Sequence, residues 1–183
     1  MSMQDRIRLF GSFAFVPAPR PARDIVLSDG KHYHDPGDPE AIRITDGWYA
    51  KNIVSVHIPQ LKGLVGAPES CRVPFHKLAA QMLVDLWQAW DDAGLVGRVL
   101  SWAGSWCPRF IRGSTSVLSN HAFGTAFDIN ATWNRMGSEP APLGVRGSVI
   151  ELVPVAEQHG FTWGGYFPRQ DGMHFEASKI AEA

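Results

Sequence analysis

The apolar positions of this chain follow a helical period in one stretch and two-residue alternation in several others. Leu78, Met82, Leu83, Leu86 and Trp90 recur at intervals of three and four, which lays one apolar stripe along a helix. Pro74 suits the first turn of that helix, and Gly94 suits the residue just past its end. The alternation of Ile53, Val54, Val56 and Ile58 predicts a strand that stops at Pro59, and Arg98-Val99-Leu100-Ser101-Trp102 predicts another after Gly97. Residues 125–130 read as a short strand with Phe127 and Ile129 on one face and Ala126, Asp128 and Asn130 on the other. Met173-His174-Phe175-Glu176 repeats that arrangement, with His174 and Glu176 on the polar face. A second helix is predicted from Ser148, with Glu151 completing a capping box, to Gly160; Pro154 either kinks it or marks its true first turn.

Residues 1–70 show no comparable period. Prolines at 17, 19, 21, 36, 39 and 59 punctuate them, and Ser28-Asp29-Gly30-Lys31 reads as a polar turn. The expectation is an N-terminal extension (1–70), an arm or a small binding element, packed on a core of residues 71–183 within one structural unit.

Composition changes this picture little. Hydrophobic content of 45% and charged content of 19% place the chain in the globular class, and 183 residues suffice to bury a core. A net charge of −1 argues against a nucleic-acid partner, which would call for a basic footprint. No run reaches the length of a membrane span. Leu9–Val16 follows two arginines but is broken by Gly11 and Ser12, so no signal peptide is read, and synthesis in the cytoplasm is expected. Cys71 and Cys107 lack metal-type spacing and read as free thiols or at most one bridge. A monomer is expected. The tryptophans of Trp102–Trp106 and of Trp163-Gly164-Gly165-Tyr166 suggest an aromatic-walled cleft, with ordinary core packing as the alternative for each.

The chemistry concentrates in Ser119-Asn120-His121-Ala122-Phe123-Gly124-Thr125-Ala126-Phe127-Asp128. A catalytic zinc ion takes three protein ligands and leaves one position for water. His121 and Asp128 are seven residues apart and would face opposite ways along a straight strand; Gly124 permits the bend that brings them together. His174, on the polar face of its own strand, supplies the third ligand. Three residues before it, Asp171 stands where a carboxylate could take a proton from the attacking water and return it to the leaving amine. Arg109 and Arg112, just upstream, are candidates to balance charge on the carbonyl oxygen. Ser119 is either a turn residue or a substrate hydrogen-bond donor. Asp171 might alternatively cap a turn with Gly172. Glu176 suits a role behind His174. His32, His34, His57, His76 and His159 are read as packed or surface residues.

These residues resemble the zinc D-alanyl-D-alanine carboxypeptidases and dipeptidases and the related phage L-alanyl-D-glutamate endopeptidases. The family motif Ser-x-His-x-x-Gly-x-Ala-x-Asp is met at Ser119, His121, Gly124, Ala126 and Asp128, and its later acid-x-x-His at Asp171 and His174. Asp171 and Met173-His174 stand where the carboxypeptidases usually carry Glu and Trp-His, closer to the phage endopeptidase pattern. Over residues 75–177 the resemblance implies an α+β fold of the hedgehog and D-Ala-D-Ala peptidase type, a small antiparallel sheet carrying the zinc site and flanked by helices. It also implies one Zn2+ per chain, peptidoglycan stem peptides as substrate, and a substrate-binding arginine upstream of the motif, placed at Arg109 first and Arg112 second. Trp163 and Tyr166 are expected to line the cleft. A non-catalytic zinc module and a zinc amidase of unrelated substrate stay open beside the peptidase.

Overall fold

The computed structural model describes residues 2–26 and 32–180; the turn expected at Ser28–Lys31 and the side chain of His32 lie outside the described residues. The chain is α+β, with small antiparallel sheets and several helices.

The N-terminal stretch is more regular than its prolines suggest. Helix α1 (Met3–Phe10) starts at a Ser2–Asp5 capping box, β1 (Phe15–Pro17) pairs with β4 (Ile42–Ile44), and β2 (Arg23–Val26) pairs with β3 (His32–Asp35). Strands β1 and β4 bury at most one residue each, so no buried face enforces an alternation and the sequence pattern hides them. Helix α2 (Trp48–Asn52) leads into β5 (Ile53–His57), the strand expected there, which pairs with β6 (Arg72–His76).

Pro74 belongs to β6, not to a helix. It lies opposite Ser55 in a two-stranded ribbon, where β6 has a free edge and the missing N–H of proline costs no ladder bond. The amphipathic helix α3 (Ala80–Asp92) begins later, leaving Leu78 exposed, and ends before Gly94. The strand expected over Arg98–Trp102 is displaced to β7 (Trp102–Gly104). Asn130 accounts for the shift: its Oδ1 accepts from the N–H groups of Leu100 and Ser101 at 2.7 and 3.1 Å, taking donors that a longer strand would have used. Ser148 caps no α-helix. It bonds the N–H of Ile150 at the start of a tight turn, and α5 (Val153–Gln158) follows with Pro154 in its first turn.

The central sheet has the order β7, β8 (Ala126–Ile129), β10 (His174–Ala177), β9 (Phe161–Trp163), all antiparallel. Phe127 lies at its middle, stacked against Trp102 on one side and Phe175 on the other at 5.8 and 5.5 Å. That apolar face packs on Leu83, Leu86, Trp87 and Trp90 of α3 and on Val153 and Ala156 of α5. A second cluster joins Phe10, Ile42 and Trp48 of the N-terminal segment to Leu118, Ala122 and Phe123. Ala122 and Phe123 belong to helix α4 (Asn120–Phe123). The N-terminal segment therefore seats the helix that carries His121. Among the described residues no helix is long and apolar enough to cross a membrane.

Candidate metal centre and cleft

The register of β8 against β10 sets His174 directly opposite Asp128, and side chains directly opposite in an antiparallel pair share a face. The third group arrives from α4. Ser119 is its N-cap, accepting from the N–H of His121 at 3.3 Å, and Gly124 ends it in the left-handed region at φ +66°. A Cβ at Gly124 would stand 2.6 Å from Ile53 Cδ1 and 3.3 Å from the backbone nitrogen of His76. The step from His121 to Asp128 is thus one helical turn and a glycine bend, where a bent strand was expected.

His121 Nε2, His174 Nδ1 and Asp128 Oδ1 form a nearly equilateral triangle. Its edges are 3.1 Å between the imidazoles, 3.2 Å from His121 to Asp128 and 3.1 Å from His174 to Asp128. Ligands at bond lengths of about 2.0–2.1 Å around a tetrahedral ion stand roughly 3.3 Å apart. The donor set and its spacing therefore fit a zinc-type cation, and this is the His/Cys/Asp/Glu grouping able to hold a metal among the described residues.

Outer partners orient both rings. His121 Nδ1 lies 2.6 Å from the Ser105 carbonyl, which only accepts, so that nitrogen carries the proton and Nε2 offers its lone pair to the triangle. His174 Nε2 lies 3.1 Å from Glu176 Oε2, an oxygen that also accepts from the Asn120 amide. This leaves His174 Nδ1 facing Asp128. Burial alone would raise the Asp128 carboxyl, yet the two imidazoles hold it well below the usual carboxylate range. Burial likewise opposes charge on His174, but its bonds to Asp128 and Glu176 push it well above the ordinary imidazole value. Such a cluster demands a positive charge, and a divalent cation meets the same lone pairs.

Asp171 sits in the loop before β10, 5% exposed, with no hydrogen-bond partner for Oδ1. Burial raises its carboxyl above the usual range, against the pull of His174. Two cavities, of about 350 and 370 Å3, share Arg109, His121, Met136 and Asp171 as walls, so they form two lobes that meet at the triangle. The first runs toward Phe167, Arg169 and Glu176, the second toward Gly104, Trp106, Cys107 and Met173. Ser119 lines the first lobe as well as capping α4.

The two arginines differ. Arg109 borders both lobes, its Nη1 donating to the Phe110 carbonyl at 3.2 Å. Arg112 borders the second lobe but donates to Asp38 and Glu40 of the N-terminal segment at 2.8 and 2.6 Å, so its charge is already met. Trp163 and Tyr166 do not line either lobe. Trp163 is buried and donates from Nε1 to the Gly172 carbonyl at 2.8 Å, pinning the turn that carries Asp171, while Tyr166 stands exposed against its edge. Phe167 supplies the aromatic wall of the first lobe, and Trp106, from the Trp102–Trp106 stretch, that of the second. Cys71 and Cys107 are free thiols.

Several cleft residues escape a sequence reading. Asn120 was in view inside the motif, between the N-cap and the first ligand. Arg6 was not: it lines the first lobe and donates to the Leu118 carbonyl at 2.8 Å across 112 positions of chain. No curated protein and no solved structure matches the chain. Residues 112–177, which hold the triangle, Asp171 and Glu176, match a family model described as D-alanyl-D-alanine carboxypeptidase.

Proposed function

We propose that the protein is a zinc peptidase that hydrolyses an amide bond in peptidoglycan stem peptides. The observation that carries this reading is the triangle of His121, Asp128 and His174, closed to 3.1–3.2 Å beside a buried, unpartnered carboxylate oxygen of Asp171. His121, Asp128 and His174 would hold the ion, which when bound supplies Lewis-acid polarisation of the scissile carbonyl and acidifies water. Asp171 takes the proton from the attacking water and delivers it to the leaving amine. Its raised affinity for a proton suits both halves of that exchange. Arg109, bordering both lobes, balances the charge that develops on the carbonyl oxygen. Glu176 and the Ser105 carbonyl keep the two imidazoles in the tautomers the ion needs. A cleft with two lobes meeting at the metal point accommodates chain on both sides of the cut, which favours an endopeptidase over a carboxypeptidase. The protein acts on the wall or periplasm after release or secretion.

The test is digestion of purified peptidoglycan by the zinc-loaded protein, with the fragments weighed by mass spectrometry. Cuts within the stem peptide are expected; free D-alanine would instead identify a carboxypeptidase. Asp171→Asn should lower kcat by roughly 10²–10⁴-fold with zinc content unchanged. A zinc-loaded protein that releases nothing from cell-wall material would be a binding module.

A further inference from the structure

Helix α1 brings two buried side chains to the neighbourhood of α4 from one face. The Ser2–Asp5 capping box fixes where α1 starts, and Arg6 and Phe10, four residues apart, then share a face. Phe10 packs against Phe123 of α4, their ring centroids 6.3 Å apart. Arg6 turns into the first lobe at 9% exposure and donates from Nη1 to the Leu118 carbonyl at 2.8 Å, immediately before the Ser119 N-cap. From there a chain of contacts runs to the triangle. Asn120, the first residue of α4, donates to Glu176, and Glu176 accepts from His174 Nε2 at 3.1 Å. For packing alone an apolar side chain would fill the place of Arg6 at less desolvation cost, so its charge points to a polar task. Glu176, on the same lobe wall and buried, presents that task. A His174 that gives its Nδ1 lone pair to a cation stays neutral, so no imidazolium cancels the charge of Glu176. A buried carboxylate calls for a countercharge, and a guanidinium is a permanent one. Burial lowers the proton affinity of Arg6, and the charge of Glu176 opposes that lowering.

We infer that Arg6 is a positioning residue of the metal centre, holding the entry to α4 and balancing the charge of Glu176, so that α1 is part of the apparatus that orients His121 and His174. This rests on the metal reading of the triangle and names a residue, remote in sequence, on which the affinity of that centre depends. The task is internal to the protein. The guanidinium serves the backbone at Leu118 and the carboxylate behind His174, and acts on the ion only through them.

Zinc affinity of the full chain, measured by competition against a chelator, reads this role without any turnover. Arg6→Met keeps the apolar stem and removes the charge and the donors. It should raise the zinc Kd about tenfold, the scale on which groups that orient metal ligands act, and Arg6→Lys should recover part of the loss. Glu176→Gln supplies the discriminating background. Because Arg6 acts through Glu176, Arg6→Met should change Kd by about twofold or less once Glu176 is replaced, the signature of coupled sites. A merely structural role would give losses that multiply. An unchanged Kd in Arg6→Met, or losses that multiply in full in the double variant, overturns the inference and leaves the metal reading standing. A wild-type chain that takes up no zinc overturns the metal reading, and the inference with it. Should Arg6→Met fail to fold, Arg6→Gln goes through the same cycle with Glu176→Gln and is judged by the same outcomes.

Discussion

At the scale of single residues, the site depends on which nitrogen of each imidazole carries the proton, and that choice is made by groups outside the triangle. Glu176 is the clearest case. It accepts from His174 Nε2 at 3.1 Å and is held there by the Asn120 amide, so that His174 Nδ1 stays free for the ion. Replacing it with glutamine keeps the shape but removes the charge that raises the basicity of the ring. Glu176→Gln should therefore weaken zinc binding by about 10–100-fold with the fold intact, measured by competition against a chelator of known affinity. Unchanged affinity would mean that the carboxylate serves packing alone. Asp128 and His174 were legible from the facing of their apolar strand neighbours, whereas His121 showed only through its spacing to Asp128 and the glycine between them. Glu176 was also legible from its place two positions past His174. Arg6 and Arg169 were not, because a charge on a helix or a loop carries no mark of the cavity it will border.

At the scale of elements, β8 and β10 were legible because Phe127, Ile129 and Phe175 alternate with the polar groups of the site, one face packing on the core and the other carrying the largely buried triangle. Helix α4 was not, since four residues cannot display a helical period, and the bend at Gly124 is all the sequence shows of it. Strands β1 and β4 are hidden because they bury too little to enforce an alternation, and Pro74 misled because an edge strand tolerates what a helix start prefers. The joint between that segment and the core carries a pH dependence. His76 of β6 is 1% exposed, its ring 5.0 Å from that of Phe10 and 5.7 Å from that of Trp48, with Nε2 lacking a partner. Burial lowers its pKa from the ordinary 6.5 to about 4. The folded state thus resists protonation that the unfolded chain accepts, so the full stability is present above pH 6.5 and is lost as pH falls toward 4. At 1.36 kcal/mol per unit the loss is about 3 kcal/mol. Urea unfolding between pH 7 and 4 should show that decline, and His76→Leu should flatten it. An equal slope in the variant would place the sensitivity elsewhere.

At the scale of the whole molecule, the three proposed ligands tie together parts that pack in different clusters. Phe127 and Phe175 place β8 and β10 in the larger core, while Ala122 and Phe123 place α4 in the smaller one, shared with Phe10, Ile42 and Trp48. His121 therefore stands on one body of packing and Asp128 and His174 on the other, and a cation bound among them is a cross-brace between the two. Binding to the folded chain alone stabilises it by about 4 kcal/mol when free metal is a thousandfold above Kd. For a domain in this size range each kcal/mol moves Tm by roughly 2–4 °C. Removing the metal with a chelator should accordingly lower Tm by about 8–16 °C, and adding zinc back should restore it. In His121→Ala, which cuts the link to α4, the chelator should change Tm far less. The N-terminal segment should also become more accessible to protease in the chelated wild type, because α4 then keeps only its apolar packing and hydrogen bonds such as those of Asn120 to Glu176 and of His121 to the Ser105 carbonyl. A chelated protein that melts and resists proteolysis as the zinc-loaded one does would show that the two clusters hold each other without the ion, and that the triangle has no part in the fold's cohesion.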